Sequence, residues 1–299
     1  MKLAAIDIGS NAARLLITEV SVDEKNKTSF NKISLIRVPL RLGFDVFDTG
    51  KISDHKTALL LSTMKGFSNL IKAFEVKAFK ACATSAMRDA ANTKEIISLI
   101  RQESGIEIEV ISGTQEASFV FENHIAENLD KEHSYLYIDV GGGSTELTFF
   151  SNNELVFKDS FNIGTIRLLK NAVTDTSWNQ MKDDIKLKTK SHKQVTAIGS
   201  GGNINKIFTL SKRKDGKPLP LELLRDFYKE LNNVSLKDRI SVYKLREDRA
   251  DVIVPALQIY INTMRWAGAT EIYVPKIGLA DGLIQHLWEE EKERNKNKE

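Results

Sequence analysis

The sequence is poor in cysteine. A single one, Cys82, sits in the apolar segment Ala78-Phe79-Lys80-Ala81-Cys82-Ala83 among 299 residues. One thiol allows no disulfide within the chain, so stability must come from a packed core, and a reducing compartment, the cytoplasm, is expected. No apolar run approaches the roughly 20 residues that a membrane helix needs, which excludes that class of partner. The start, Met1-Lys2-Leu3-Ala4-Ala5-Ile6-Asp7, turns acidic too early for a secretory leader, and none is expected. Histidines are few, five in all, and none falls into a zinc-ligand spacing; all five, His124 and His133 among them, read as structural or exposed. A charge excess is also missing. The net charge of +3 gives no reason to expect specific nucleic-acid binding.

What is present is ordinary for a soluble protein with a real core: 41% hydrophobic and 28% charged residues. The length favours two domains. The patterning alternates. Strands are expected at Leu3 to Ile8, Leu15 to Val20, Ile33 to Leu42, Lys77 to Thr84 and Glu107 to Ile111. Between them lie helices at about Ser53 to Glu75, Ser85 to Ala91 and Thr93 to Glu103. The first has Ser53 as N-cap and Leu59, Leu60, Met64, Phe67 and Leu70 on one face. Gly105 closes the third. This is an α/β signature.

The second half repeats the first. Tyr135 to Asp139 is a strand ending in Asp, Val140 to Thr145 a glycine turn, and Leu147 to Phe150 and Glu154 to Phe161 two further strands. Strand, Asp, glycine turn, strand, strand thus occurs twice, which predicts two related domains facing each other. Their boundary is expected in a joining helix, Gln115 to Leu129. Later elements are helices near Ser177 to Lys190 and after Gly202, and strands Gln194 to Ile198 and Glu271 to Val274. A long helix, Asp248 to Trp266, carries Pro255 as a kink or a new first turn, and a last helix starts near Leu279. The charged run Glu289 to Glu299 reads as a fraying helix end or a tail. The basic loop Ser211 to Pro218, with Lys212 to Lys217, is either a solvated loop or a surface that attracts a long polyanion.

Three loops carry the chemistry: Asp7-Ile8-Gly9-Ser10-Asn11, Asp139 through Glu146, and Gly199-Ser200-Gly201-Gly202-Asn203. Any one alone is first a tight turn. Together they predict a phosphate site. Gly9, Gly141, Gly142, Gly143, Gly201 and Gly202 let backbone amides approach an anion, and Ser10, Asn11, Ser144 and Thr145 supply further donors. Asp7, Asp139 and Glu146, beside those loops, are candidate ligands of a hard divalent cation such as Mg2+. Glu116, at the start of the joining helix, can deprotonate a water, or is merely a favourable acid in a first helical turn. Arg88 can clamp a phosphate, or pair with Asp89 or Glu95 on the surface.

At these residues the sequence resembles the exopolyphosphatases and guanosine pentaphosphate phosphohydrolases, within the actin, sugar-kinase and heat-shock ATPase superfamily. The resemblance is carried by Asp7 to Asn11 with Arg14-Leu15, Ala83 to Asn92, Ile111 to Gly113 with Glu116-Ala117, and Asp139 to Glu146. Gly199 to Asn203, Arg249 to Ile253 and Gly278 to Gly282 add to it. It implies two ribonuclease-H-like, actin-like domains flanking a cleft: residues 1–118, joined by the C-terminal helix 283–299, and residues 119–282. It also implies Mg2+-dependent hydrolysis of a terminal phosphoanhydride. Glu116 would be the catalytic carboxylate, Asp7, Asp139, Gly141, Ser144 and Glu146 metal and phosphate residues, and Arg88 a phosphate contact. Substrate would be polyphosphate or guanosine pentaphosphate, with a homodimer as a further assembly to test.

Two positions depart from the pattern: Ala12 replaces a common Ser, and Gln115 a frequent second Glu. Longer members add a C-terminal helical region that lengthens a polyphosphate channel, so tight processive binding is not implied here. Three alternatives remain open: a kinase using a hydroxyl acceptor, a non-catalytic guanosine penta- or tetraphosphate sensor, and an actin-like filament protein.

Overall fold

The computed structural model describes residues 1–121, 133–152, 154–192 and 194–296. The chain divides into two compact units, Met1–Asn123 with Leu279–Glu299, and His124–Gly278. Each holds one mixed sheet with helices, so the α/β class read from the sequence holds in both.

The first unit opens with β1 (Lys2–Ile8), β2 (Ala13–Val22) and β3 (Thr28–Val38), an antiparallel meander. β1 then pairs in parallel with β4 (Ala78–Ala83), and β4 with β5 (Ile108–Val110). The resulting order, β3-β2-β1-β4-β5, is the ribonuclease-H-like one. β3 begins well before the expected Ile33, because the β2–β3 ribbon runs out to a turn at Asp23, whose carboxylate accepts from the Lys25 and Lys27 amides. It stops at Val38 because Pro39 has no amide to continue the ladder. Helix α1 (Gly43–Thr49) was not expected; its seven residues are too few for a helical period to register.

Helix α2 (Asp54–Ala73) has the expected cap, the Ser53 hydroxyl accepting from the Lys56 amide. Its buried face is Leu60, Met64, Phe67 and Ile71. Leu59, expected on that face, is 37% exposed, since one residue step turns it about 100° away. Helices α3 (Ser85–Asp89) and α4 (Thr93–Ser104) follow, and Gly105 ends α4 at φ +71°. Helix α5 (Gly113–Phe121) starts the expected joining helix, whose remainder, with His124, lies outside the described residues.

The final helix, α13 (Leu279–Lys296), belongs to this same unit. In it, Leu283, Ile284 and Leu287 pack with Leu3, Ala5, Leu16 and Val20. Gly282 sits against the α5 backbone so closely that a Cβ would lie 1.8 Å from the Phe119 carbonyl oxygen. The charged run is helical through Lys296, and Glu291 is buried.

The second unit repeats the meander with β6 (Ser134–Val140), β7 (Thr145–Ser151) and β8 (Glu154–Phe161). β6 pairs in parallel with β9 (Val195–Ser200), which pairs with β11 (Glu271–Tyr273); β10 (Leu219–Pro220) closes the edge, in the order β10-β11-β9-β6-β7-β8. Helices α6 (Thr165–Leu169), α7 (Asp175–Thr189), α8 (Gly202–Leu210), α9 (Leu221–Asn232) and α10 (Leu236–Ser241) fill the connections. The expected helix from Asp248 is two, α11 (Glu247–Ala250) and α12 (Ile253–Ala267). Pro255 is the third residue of α12, where an amide has no intrahelical acceptor to lose. Among the described residues no helix is long and apolar enough to cross a membrane.

Candidate phosphate-binding and catalytic site

The β6–β7 turn is the clearest anion cradle. Gly141 and Ser144 close it through Gly141 N–H donating to the Ser144 carbonyl at 2.9 Å. Every carbonyl from Gly141 to Gly143 is then drawn away by the segment that starts α6. Thr165 N–H donates to Gly141 O at 3.0 Å, Ile166 N–H to Gly142 O at 2.8 Å, and the Arg167 Nε–H to Gly143 O at 2.6 Å. The amides of Gly142, Gly143 and Ser144 donate to no other group among the described residues. Three successive amides with their carbonyls fixed on the far side form a concavity of positive partial charge. The Thr145 hydroxyl is committed to the Ile163 carbonyl and wholly buried, so it braces the turn from within.

Gly164 explains how α6 comes this close. A Cβ there would lie 2.5 Å from the backbone of both Gly142 and Gly143. The glycines of the turn and Gly164 are thus paired small surfaces, and none of the turn glycines has a positive φ. Of the glycines in the three phosphate loops, Gly201 alone has a positive φ, at +108°. Its Cβ would lie 3.1 Å from Asp139 Oδ1, so glycine there admits the carboxylate. Gly202 is the first residue of α8.

Asp139 is the penultimate residue of β6, and its partner across the strand pair is Glu146. The Glu146 Oε1 accepts from the Ser160 hydroxyl at 2.8 Å. In the parallel direction Asp139 is level with Ser200, whose Oγ is buried with no hydrogen-bond partner among the described residues. Beneath them lies Tyr260, fully buried, its hydroxyl donating to the Ser200 carbonyl while the Val140 amide hydrogen-bonds its oxygen. Burial first, then the Asp139 charge, hold that phenol well above its ordinary range. Tyr260 therefore stays a neutral donor that ties the Asp139 strand end to the Gly201 loop.

Like charges directly opposite on neighbouring strands repel. Two carboxylates in that relation, with an orphaned hydroxyl beside them and an amide cradle next in the chain, suit a divalent cation that takes few protein ligands and completes its shell with water and phosphate. Magnesium fits this set. Among the described residues no group of three or more acidic, cysteine or histidine side chains gathers as a fuller cage.

The first unit carries the same turn with different charges. Gly9 N–H donates to Ala12 O at 3.1 Å, and the Ser10 and Asn11 carbonyls accept from Gly43 N–H and Arg41 N–H, both at 2.9 Å, at the start of α1. Asp7 occupies the place of Asp139, but Arg14 stands where Glu146 does, and the two form an ion pair at 2.5 Å. Asp7 is thus already offset by a cation of the protein's own. The Ser10 hydroxyl is engaged with Ser85 Oγ at 2.8 Å, both buried.

At the carboxyl ends of β1, β4 and β5 the first unit also gathers Glu116. Ser112 and Gln115 make a reciprocal capping box: Gln115 N–H donates to Ser112 Oγ at 3.2 Å, and Ser112 N–H to Gln115 Oε1 at 2.8 Å. Gln115 is therefore a cap, which leaves Glu116, next in the turn and 9% exposed, as the carboxylate set by it. Arg88 Nη1 donates to the Ile111 carbonyl at 2.8 Å, pinning α3 to the start of that turn. Cys82, level with Asp7 on β4, feels these charges: burial, Glu109, Asp7 and Glu116 push its thiol up to about 12.

Sequence reasoning missed Gly164, Arg167, Ser160 and Tyr260. A faint signal existed for the first two: Gly164 and Arg167 follow the third strand of the repeat, where Gly43 follows the first copy.

Residues 21–291 match the Ppx/GppA phosphatase family. A bifunctional 3-dehydroquinate synthase/phosphatase of Fusobacterium nucleatum is 28% identical over 243 residues, which cover 80% of this chain and 35% of that protein. Exopolyphosphatase 1 of Mycobacterium tuberculosis is 26% identical over 314 aligned positions, 95% of this chain and 87% of that one. Among solved structures, an exopolyphosphatase from Cytophaga hutchinsonii superposes with a TM-score of 0.82 at 23% identity, covering 96% of this chain and 97% of the other. A Ppx/GppA family member from Aquifex aeolicus gives 0.74 at 24%, covering 97% and 98%. At such identities the structural likeness speaks for the fold alone.

Proposed function

Because the chain belongs to the Ppx/GppA phosphatase family, we propose that it hydrolyses the terminal phosphoanhydride of inorganic polyphosphate, guanosine pentaphosphate being the second substrate to test. The observation that carries this reading is the turn Gly141–Ser144, whose amides face outward because α6 and Arg167 hold its carbonyls. That turn binds phosphate oxygens, and Gly9 to Asn11 in the first unit and Gly201–Gly202 in the second are the supporting phosphate loops. Asp139 and Glu146 would hold a magnesium ion, which when bound would offset charge on the phosphate chain.

Glu116 accepts a proton from the attacking water. Its position one residue past the capping pair keeps the carboxylate in a fixed first turn, and its burial favours a proton-accepting role over a solvated one. Arg88, anchored through one nitrogen, has further donors for a phosphate. Preorganised amides and cations stabilise the charge that spreads over the transferred group, which is where most of the rate in phosphoryl transfer originates. The buried free thiol suits a reducing compartment, and we place the activity in the cytoplasm.

The test is phosphate release by the purified chain from polyphosphate and from guanosine pentaphosphate, with and without magnesium. Magnesium-dependent release into solution supports the proposal. Tight binding of either compound with no release identifies a sensor and overturns it.

A further inference from the structure

The loop between α8 and β10, residues 211–218, takes no part in the chemistry above, yet its charge and shape are unusual. Lys212, Arg213, Lys214 and Lys217 are exposed, and none forms an ion pair among the described residues. The loop holds one acid, Asp215, and that carboxylate is taken from outside by Lys276 at 2.6 Å. Lys276 is itself seated over the Phe208 ring, 5.4 Å from its centroid. The local anion is thus neutralised by a lysine of another segment, and four cations are left facing solvent.

The backbone that presents them is set rather than slack. Lys212 leaves α8 in the left-handed region, at φ +55°, its amide donating to Thr209 O. The Arg213 amide donates to Ser211 Oγ. Lys217 N–H donates to Lys214 O across a turn in which Gly216 is glycine for its φ of +80°, not for space. Helix α8 begins at the Gly201–Gly202 loop and ends at this one, about 14 Å further along its axis. Lys206, half-buried and also without an ion pair, lies between.

We propose that residues 211–218 are a second anion site, which holds the distal part of a long linear polyphosphate whose terminal end is at the phosphate loops. This rests on the hydrolase reading for its substrate class. A chain of regularly spaced negative charges matches the set of exposed cations. A short substrate ends before reaching them.

The experiment compares the full chain with the variant carrying Lys212→Gln, Arg213→Gln and Lys214→Gln. Substrates are long-chain polyphosphate and tripolyphosphate, with turnover and direct binding both measured. KM for the long chain should rise about tenfold at low salt with kcat unchanged, KM for tripolyphosphate should stay constant, and the salt slope of long-chain binding should shrink by about one per cation removed. A long-chain KM within about twofold of the parent, or an equal effect on tripolyphosphate, overturns the proposal. So does equal loop-dependent binding of a single-stranded RNA, which would make this a general polyanion surface. If the parent releases phosphate from neither substrate, the hydrolase reading fails, and the long-chain binding comparison still decides the loop's role.

Discussion

Replacing Gly164 by alanine tests whether the phosphate turn works because its carbonyls are held from behind. The added Cβ would lie 2.5 Å from Gly142 C, Gly142 O and Gly143 C. Ordinary contact begins near 3.4 Å, so the shortfall is about 0.9 Å, against backbone on all three sides. No flexible side chain can yield; either the turn or the start of α6 must move. Movement of that size stretches the bonds that Thr165, Ile166 and Arg167 make to the three carbonyls. Overpacking costs about 1–3 kcal/mol, and each lost hydrogen bond adds about 1 kcal/mol. A total near 3 kcal/mol lowers Tm by roughly 5 °C in a protein of this size. The functional effect should be larger in proportion, because a misplacement of about 1 Å in a positioned group costs on the order of 100-fold in rate. The control is Gly105→Ala, at a left-handed helix end with open space around it. It should cost about 1–2 kcal/mol of strain and leave kcat/KM intact. Calorimetry and a phosphate-release assay on both variants separate the cases. A Gly164→Ala protein with parental kcat/KM would refute the argument that this contact sets the turn.

Gly282→Ala places a Cβ 1.8 Å from the Phe119 carbonyl oxygen; α13 should lose its seat on α5, lowering stability by 3 kcal/mol or about that, and an unchanged Tm would contradict the packing. Ser160→Ala removes the hydrogen bond to Glu146 and should weaken magnesium binding about 10- to 100-fold by calorimetric titration; unaltered affinity would remove Glu146 from the metal set. For Cys82 the folded thiol titrates at about 12 against 9.0 for the free group. The raised value stabilises the fold fully below pH 9 and is lost as pH climbs from there towards 12, since the unfolded chain loses its proton first. Chemical denaturation should show stability falling across that range less steeply in Cys82→Ala, and identical slopes would deny the shift.

Much of the fold was legible because two patterns agree at every step. Leu3 to Asp7 and Tyr135 to Asp139 are short apolar runs that stop on the same residue, and in each case the following turn and two strands are of similar length. The cap at Ser53 and the stop at Gly105 are local signals, and both appear where local chemistry puts them. The failures have more than one cause. Helices α1 and α6, seven and five residues long, are too short to display a period. The outer end of β3 is set by a side chain–backbone turn at Asp23 that hydrophobic patterning does not register. In the site, the residues that bear charge announced themselves by type, whereas those that hold them in place did not. Tyr260 is an ordinary core aromatic in sequence, and it gains its meaning only because α12 lays its hydroxyl under the Ser200 carbonyl and the Val140 amide. Arg14 was visible beside Asp7, but that it stands in the place of Glu146 follows from strand register.

The claim that most needs a direct trial is the water-activating role of Glu116, and Glu116→Gln tests it with almost no change of shape. Turnover of polyphosphate should fall by about 100- to 10,000-fold, while substrate binding by the same protein stays within about threefold. Turnover close to that of the parent chain would contradict the assignment.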